Sequence, residues 1–273
     1  EYLESKGCKV TYLDVDHNGL INIDELNDAI NDQTILVSIM MANNETGVLQ
    51  DISKIGAICK RKEVLFMTDA TQAIGKIPVD VVYENIDLLT LSAHKFGGPK
   101  GVGAVYIKRK FPKIKITPLL HGGGHEKGYR SGTLNVPGIV GMGKAAELAL
   151  FNIKFYTQKT KKVRDEFEDS LLSLGNIEIN GDRLSRLPNT SNVFFKGIDA
   201  EALIMKIRDK YAVSSGSACT SIDILPSHVL MAMYNEEERA YSSIRFSFDH
   251  EFEGLEDIID TLKENLNKLQ KFI

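Results

Sequence analysis

Apolar residues in this chain gather into short runs, and the stretches between them carry a helical period. Val10–Leu13, Ile35–Met40, Val64–Asp69, Leu88–Leu91 and Val102–Ile107 are rich in β-branched and large apolar side chains and predict strands. Between them, Asp24–Ile30 and Ser53–Arg61 repeat apolar residues at the three- and four-residue spacing of a helix. Strand alternating with helix predicts an α/β fold whose mostly parallel sheet is buried on both faces. A long helical pattern then runs from about Gly138 to Leu172, with "KTKKVR" as a solvated face. Beyond it, Ile177–Ile179, Asn192–Phe195, Val213–Ser215 and Ser242–Phe248 read as strands. Ala200–Lys210, Pro226–Met233 and Leu255–Phe272 read as helices. The pattern predicts a large α/β domain over residues 1–150 and a smaller C-terminal α+β domain over 151–273.

Composition narrows the function classes. The chain has 273 residues, 43% of them hydrophobic and 26% charged, which suits a globular protein with a substantial core. A net charge of −4 is no electrostatic footprint for nucleic acid. No apolar run approaches the roughly 18 residues of a membrane span. Cys8, Cys59 and Cys219 are odd in number and far apart, which fits a reducing compartment better than a disulfide framework. The start "EYLESKGCKV" lacks Met and reads as the inside of an element, so a missing N-terminal part is expected.

Four stretches carry chemistry. In "SAHKFGGPKGVG", Lys95 follows a buried strand beside His94. A lysine at a strand's carboxyl end suits Schiff-base chemistry, although a loop lysine before a Gly-Pro turn has the same local sequence. In "FMTDATQAIGK", Asp69 ends a strand, where a carboxylate can pair with a ring nitrogen or cap a turn. Together, an acid and a lysine on two strand ends are what pyridoxal phosphate requires of a protein, with Ser92, His94 and Thr133 as nearby phosphate donors. In "AVSSGSACTS", Cys219 stands among small and hydroxylated residues, as a reactive rather than a packed thiol would. In "SSIRFSF", Arg245 interrupts an apolar strand and either snorkels to solvent or forks an anion such as an α-carboxylate.

Two further stretches invite a metal and do not support one. "DVDHNGLINIDEL" places Asp14, Asp16, Asn18 and Glu25 at the spacing of a calcium loop. A strand rather than a helix is expected before it, followed by a turn on Asn18-Gly19 and a helix capped by Asp24. In "HGGGH", the three glycines between His121 and His125 forbid the helix that would align two ligands.

Taken in order, "NNETGVLQDI", "TDATQAIGK", "SAHKFGGPKGVGA", "HGGGHEKGYRSGT" and "VSSGSACTS" resemble the motifs of the cysteine desulfurases, the NifS/IscS family of pyridoxal-phosphate enzymes. The resemblance covers nearly the whole chain and implies the type I fold of class-V aminotransferase-like enzymes, truncated at the N-terminus. It implies that Lys95 carries the cofactor, Asp69 pairs with its pyridine nitrogen and Gln72 bonds its phenolic oxygen. Ser92 and His94 would hold the phosphate, with Thr133 reaching it from the other subunit of a homodimer. Asn44, beside the cofactor, and Arg245 would bind the substrate carboxylate. Cys219 would accept sulfur from L-cysteine as a persulfide, leaving L-alanine. The sulfur would pass to an iron–sulfur scaffold protein or another acceptor, in the cytoplasm or, in a eukaryote, the mitochondrion. Selenocysteine lyase, cysteine-sulfinate desulfinase and a non-catalytic partner-binding homologue are the alternatives. "SFDHEFEG" departs from the family's usual Gly-Arg segment.

Overall fold

The structure, a computed structural model, describes residues 1–109, 113–215 and 225–270. In chain order the elements are α1 (Ile23–Ala29), β1 (Leu36–Ser38), α2 (Ile52–Arg61), β2 (Leu65–Asp69), β3 (Leu88–Ser92), β4 (Gly103–Ile107) and α3 (Val136–Leu172). There follow β5 (Ile177–Ile179), β6 (Thr190–Phe195), α4 (Ala200–Ile207), β7 (Ser214–Ser215), α5 (His228–Tyr234), α6 (Glu237–Tyr241), β8 (Ser243–Ser247) and α7 (Leu255–Gln270). Contacts divide the chain into two compact units. One holds Ile35–Met41 and Ile52–Lys154. The other holds Glu1–Thr34, Ala42–Asp51 and Phe155–Ile273, so residues 1–34 and 42–51 group with the C-terminal part.

In the unit of Ile52–Lys154, the sheet runs β1-β2-β3-β4. β1, β2 and β3 are parallel, and β4 lies antiparallel on β3. Phe66 and Thr68 of β2 are fully buried. α2 turns Ile52, Ile55, Ile58 and Cys59 inward, as its apolar spacing requires. Gly56 faces the same way because nothing larger fits: a Cβ there would stand 1.9 Å from the Glu84 carbonyl oxygen.

In the unit of Phe155–Ile273, the sheet is antiparallel throughout, in the order β5-β6-β8-β7. Its core joins Phe167 and Leu171 of α3, Val193 and Phe195 of β6, and Ile244 and Phe246 of β8. Leu203 and Ile207 of α4 and Ile258 and Leu262 of α7 complete it. Every residue of β6 is buried. Its other face is polar, and there the Asn192 side chain donates to the Glu45 carbonyl at 3.1 Å.

Two expectations need correction, and one element was not foreseen. Residues Val10–Leu13 form no strand; Val10 and Tyr12 stay exposed, and only Val15 bridges, antiparallel, to Ile21. A run of β-formers without a neighbouring strand has nothing to pair with. The cap of α1 is Asn22, whose Oδ1 accepts the amides of Asp24 (2.9 Å) and Glu25 (3.2 Å), not Asp24. The short α6, in the charged stretch "NEEERAY", had no apolar period to announce it.

Candidate active site

The carboxyl ends of β2 and β3 gather the first group of site residues. The strands are adjacent and parallel, with Asp69 in register with Thr90. Asp69 therefore ends β2 two residues short of the level of Ser92, the last residue of β3. A 3-10 turn, Ala93–Phe96, follows at once and carries His94 and Lys95 as exposed side chains. Ala93 anchors the turn: it is fully buried, and its amide donates to the Val102 carbonyl at 3.0 Å. Gly97, at φ +85°, ends the turn in the left-handed region that glycine reaches without cost. Ser92 Oγ and His94 Nδ1 are 2.9 Å apart, a hydroxyl and an imidazole joined at the strand end. Asp69 Oδ1 accepts the Thr71 amide at 2.8 Å, so the carboxylate orients the following turn as well as facing solvent. Gln72 accepts Lys76 Nζ at 3.1 Å. Thr133 is exposed in the glycine-rich loop, its carbonyl accepting Arg130 Nη1 at 3.2 Å.

Asn44 and Arg245 belong to the other unit, where they meet. Asn43 Oδ1 accepts the amides of Glu45 (2.8 Å) and Thr46 (2.9 Å), winding residues 43–47 into a tight turn. Gly47 closes it at φ +78°, with a built Cβ only 3.0 Å from Thr190 Cβ. Arg245 of β8 donates from Nη1 to the Asn44 carbonyl at 2.9 Å. The family resemblance implied Asn44 as a binding residue; the structure shows its carbonyl bound to Arg245 and the residue exposed. Cys219 lies outside the described residues.

The metal-like stretches make no cluster: among the described residues no group of three His, Cys, Asp or Glu side chains could hold an ion. Asp16 Oδ1 instead accepts the amides of Asn18 and Leu20, each at 2.9 Å, and caps the turn at Gly19.

The aminotransferase class-V family model matches residues 1–258. "Cysteine desulfurase IscS" of Neisseria meningitidis serogroup A is 47% identical over 271 residues, which are 98% of this chain and 67% of the relative. The chain belongs to the cysteine desulfurase family of class-V aminotransferases. A second member, "Cysteine desulfurase IscS" of Colwellia psychrerythraea, is 50% identical over 246 residues, 90% of this chain and 60% of the relative. The solved structure of a "NifS-like protein" superposes with a TM-score of 0.87 at 37% identity, covering all of this chain and 71% of that one. The fold is thus that of the cysteine desulfurases, pyridoxal-phosphate type I, with the mostly parallel sheet expected. The chain spans about two thirds of the length of these family members.

The β2 and β3 ends fit the family's cofactor by the chemistry of their donors. One sheet edge presents a carboxylate, a hydroxyl, an imidazole and a primary amine, all exposed or half-buried. A residue that sequence reasoning passed over is Glu45. It lies inside the quoted "NNETG", where the visible signal was a carboxylate in a motif otherwise made of small and amide residues. The structure buries it to 4% exposure.

Proposed function

We propose that the protein is a pyridoxal-phosphate-dependent cysteine desulfurase. It takes L-cysteine to L-alanine and passes the sulfur, through a persulfide on Cys219, to an iron–sulfur scaffold protein or another acceptor. The observation that carries this reading is the placement of Asp69 and Lys95 on the carboxyl ends of two adjacent parallel strands, the edge where open α/β sheets bind ligands. The printed names of two family members, each a cysteine desulfurase, support this substrate class.

The cofactor, when bound, supplies an electron sink for the substrate's α-carbon. Lys95 Nζ would hold it and, as a free amine, would be the base that moves the substrate's α-proton. The Asp69 carboxylate would pair with the ring nitrogen and favour its protonated form. Gln72 would bond the phenolic oxygen, and Asn44 would be a further cofactor-binding residue. Ser92 and His94 would hold the phosphate, and Thr133 would reach the phosphate of a second copy in a homodimer. Arg245 takes the substrate carboxylate with its guanidinium, helped by Asn44. The Cys219 thiolate attacks the substrate's sulfur, an S–S bond forms as the C–S bond breaks, and the terminal sulfur leaves later by thiol exchange. We place the protein in the cytoplasm, or in the mitochondrion of a eukaryote. No helix among the described residues is long and apolar enough to cross a membrane.

The test uses the full-length protein reconstituted with pyridoxal phosphate. Wild type should show the visible absorbance of a lysine-bound cofactor and release sulfide from L-cysteine with a thiol present. Lys95→Ala should lose both, whereas Cys219→Ser should keep the absorbance and lose the sulfide. Wild type without the absorbance refutes the reading.

A further inference from the structure

The Asn43–Gly47 turn hides a carboxylate that the chemistry above leaves idle. Glu45 Oε2 accepts the Ser227 hydroxyl at 2.5 Å, a contact between residues 182 positions apart in sequence. Ser227 Oγ in turn accepts the Leu230 amide at 3.2 Å, as the cap of α5. The hydroxyl proton is therefore committed to Glu45 and a lone pair to the helix. The main chain of the same turn is held from the other side. Asn192 Nδ2 donates to the Glu45 carbonyl at 3.1 Å, and Arg245 Nη1 to the Asn44 carbonyl at 2.9 Å. Asn192 and Arg245 are register partners in β6 and β8, so two neighbouring carbonyls are taken by two side chains paired across the sheet.

A carboxylate withdrawn from water costs stability unless its partners compensate. Burial pushes the Glu45 carboxyl up, opposed by the Ser227 hydroxyl and by the charges of His228 and Arg245. Such an arrangement fixes position. With one N–H given to the Asn44 carbonyl, the remaining donors of the Arg245 fork take a set direction, and that direction moves if the turn moves.

We infer that Glu45 is a positioning residue: its bond to Ser227 holds the turn whose Asn44 carbonyl aims the Arg245 guanidinium at the carboxylate of an amino-acid substrate. The inference rests on the desulfurase reading for the identity of that substrate. Losing Glu45 weakens the grip on the carboxylate and leaves the chemistry at the α-carbon nearly unchanged.

The experiment compares the full-length holoenzyme with its Glu45→Ala, Glu45→Gln and Ser227→Ala variants. Kinetics with L-cysteine are paired with equilibrium dialysis of labelled L-alanine and of labelled ethylamine, which is alanine without its carboxylate. Glu45→Ala should raise the L-alanine Kd and the L-cysteine KM about tenfold, ~1.4 kcal/mol, with kcat within about threefold of wild type. Its ethylamine Kd should be unchanged. Glu45→Gln keeps an acceptor for Ser227 and should lose about threefold or less. Ser227→Ala breaks the same bond and carries the same expectations as Glu45→Ala should that variant fail to fold. Unchanged L-alanine binding in the Ala variants, or equal losses for both ligands, overturns the inference alone. Wild type that releases no sulfide from L-cysteine overturns the desulfurase reading and the inference with it.

Discussion

The largest single stability effect predicted for this chain comes from removing the Glu168 carboxylate. Glu168, on α3, is fully buried, and its two oxygens lie 2.7 and 2.8 Å from Arg186 Nη2. The Arg186 side chain is itself 0% exposed, and its Nε and Nη1 have no hydrogen-bond partner among the described residues. Burial pushes the Arg186 guanidinium down from its ordinary value; Glu168 opposes that push, and Arg164 adds to it. Arg164 is also buried, its Nη1 given to the Leu187 carbonyl at 2.6 Å. Glu168 is thus the buried counter-charge of Arg186, whereas Arg164 has its own carboxylate in Asp165, 2.5 Å from Nη2. Breaking a buried pair on one side costs about 3–5 kcal/mol, because the remaining ion stays unsolvated. Glu168→Ala belongs at the upper end, and Glu168→Gln, which keeps the volume, near the lower. Arg183 restores little, since it is 44% exposed and reaches Glu168 at 3.2 Å. In urea, with a slope of about 3 kcal/mol/M, the midpoint should fall by about 1 M or more. The double variant Glu168→Met/Arg186→Met should recover most of the loss, because well-packed apolar residues replace a buried ion pair at little cost. A Glu168→Gln protein that loses less than about 1 kcal/mol would refute this reasoning.

Three more outcomes follow from the packing. Gly56→Ala places a Cβ 1.9 Å from the Glu84 carbonyl oxygen; helix propensity favours alanine, yet the protein should lose about 1–3 kcal/mol in thermal melts because backbone must move. Burial and the nearby Asp87 raise the Cys59 thiol from 9.0 to about 11. At pH 8 its thiolate is then about a hundredfold scarcer than in an ordinary thiol, so mass spectrometry after brief alkylation should find exposed Cys8 labelled and Cys59 spared, the difference vanishing in denaturant. Glu45 and Glu84 are raised above 4.5, chiefly by burial. The folded chain holds their protons more tightly than the unfolded one, so their stabilising contribution is full below about pH 4.5 and fades as pH rises through the raised folded values. Glu45→Gln/Glu84→Gln should flatten that part of the stability profile in urea titrations.

Much of the fold was legible because its strands are short, apolar and bounded by polar turns. Ile177–Ile179 matches β5 at both ends, and β2 and β3 differ from expectation by one residue. What escaped were features that depend on a partner. Val10–Leu13 has strand residues and no strand beside it. The orientation of β4 was within reach: the stretch between Ser92 and Gly103 is shorter than the dozen or more residues a parallel crossover needs, so β4 had to return antiparallel. The cap of α1 went to Asn22 rather than Asp24 because the helix begins at Ile23, one residue earlier than apolar spacing alone suggests. The site divided in the same way. Asp69 and Lys95 were visible as strand-end residues of unusual chemistry, whereas Glu45 acquires meaning only from Ser227 and Asn192, both far away in sequence.

The small residues around Lys95 show why a motif can be legible before its reason is. A Cβ at Gly75 would stand 2.7 Å from Phe96 Cβ, one at Gly98 2.9 Å from Ala93 Cβ, and one at Gly103 2.5 Å from the Leu91 carbonyl oxygen. Each glycine therefore admits a close approach on a different side of the turn that bears Lys95: Phe96 against the segment after β2, Gly98 folding back on Ala93, and β4 against β3. None of them is a candidate to touch a substrate. Their effect is to leave the lysine's backbone little room, so that its long side chain is aimed from a fixed base, as a group that must both hold a cofactor and move a proton requires. Gly98→Ala should accordingly disturb cofactor binding more than it lowers the melting temperature, whereas Gly56→Ala, on the buried face of α2, should do the reverse.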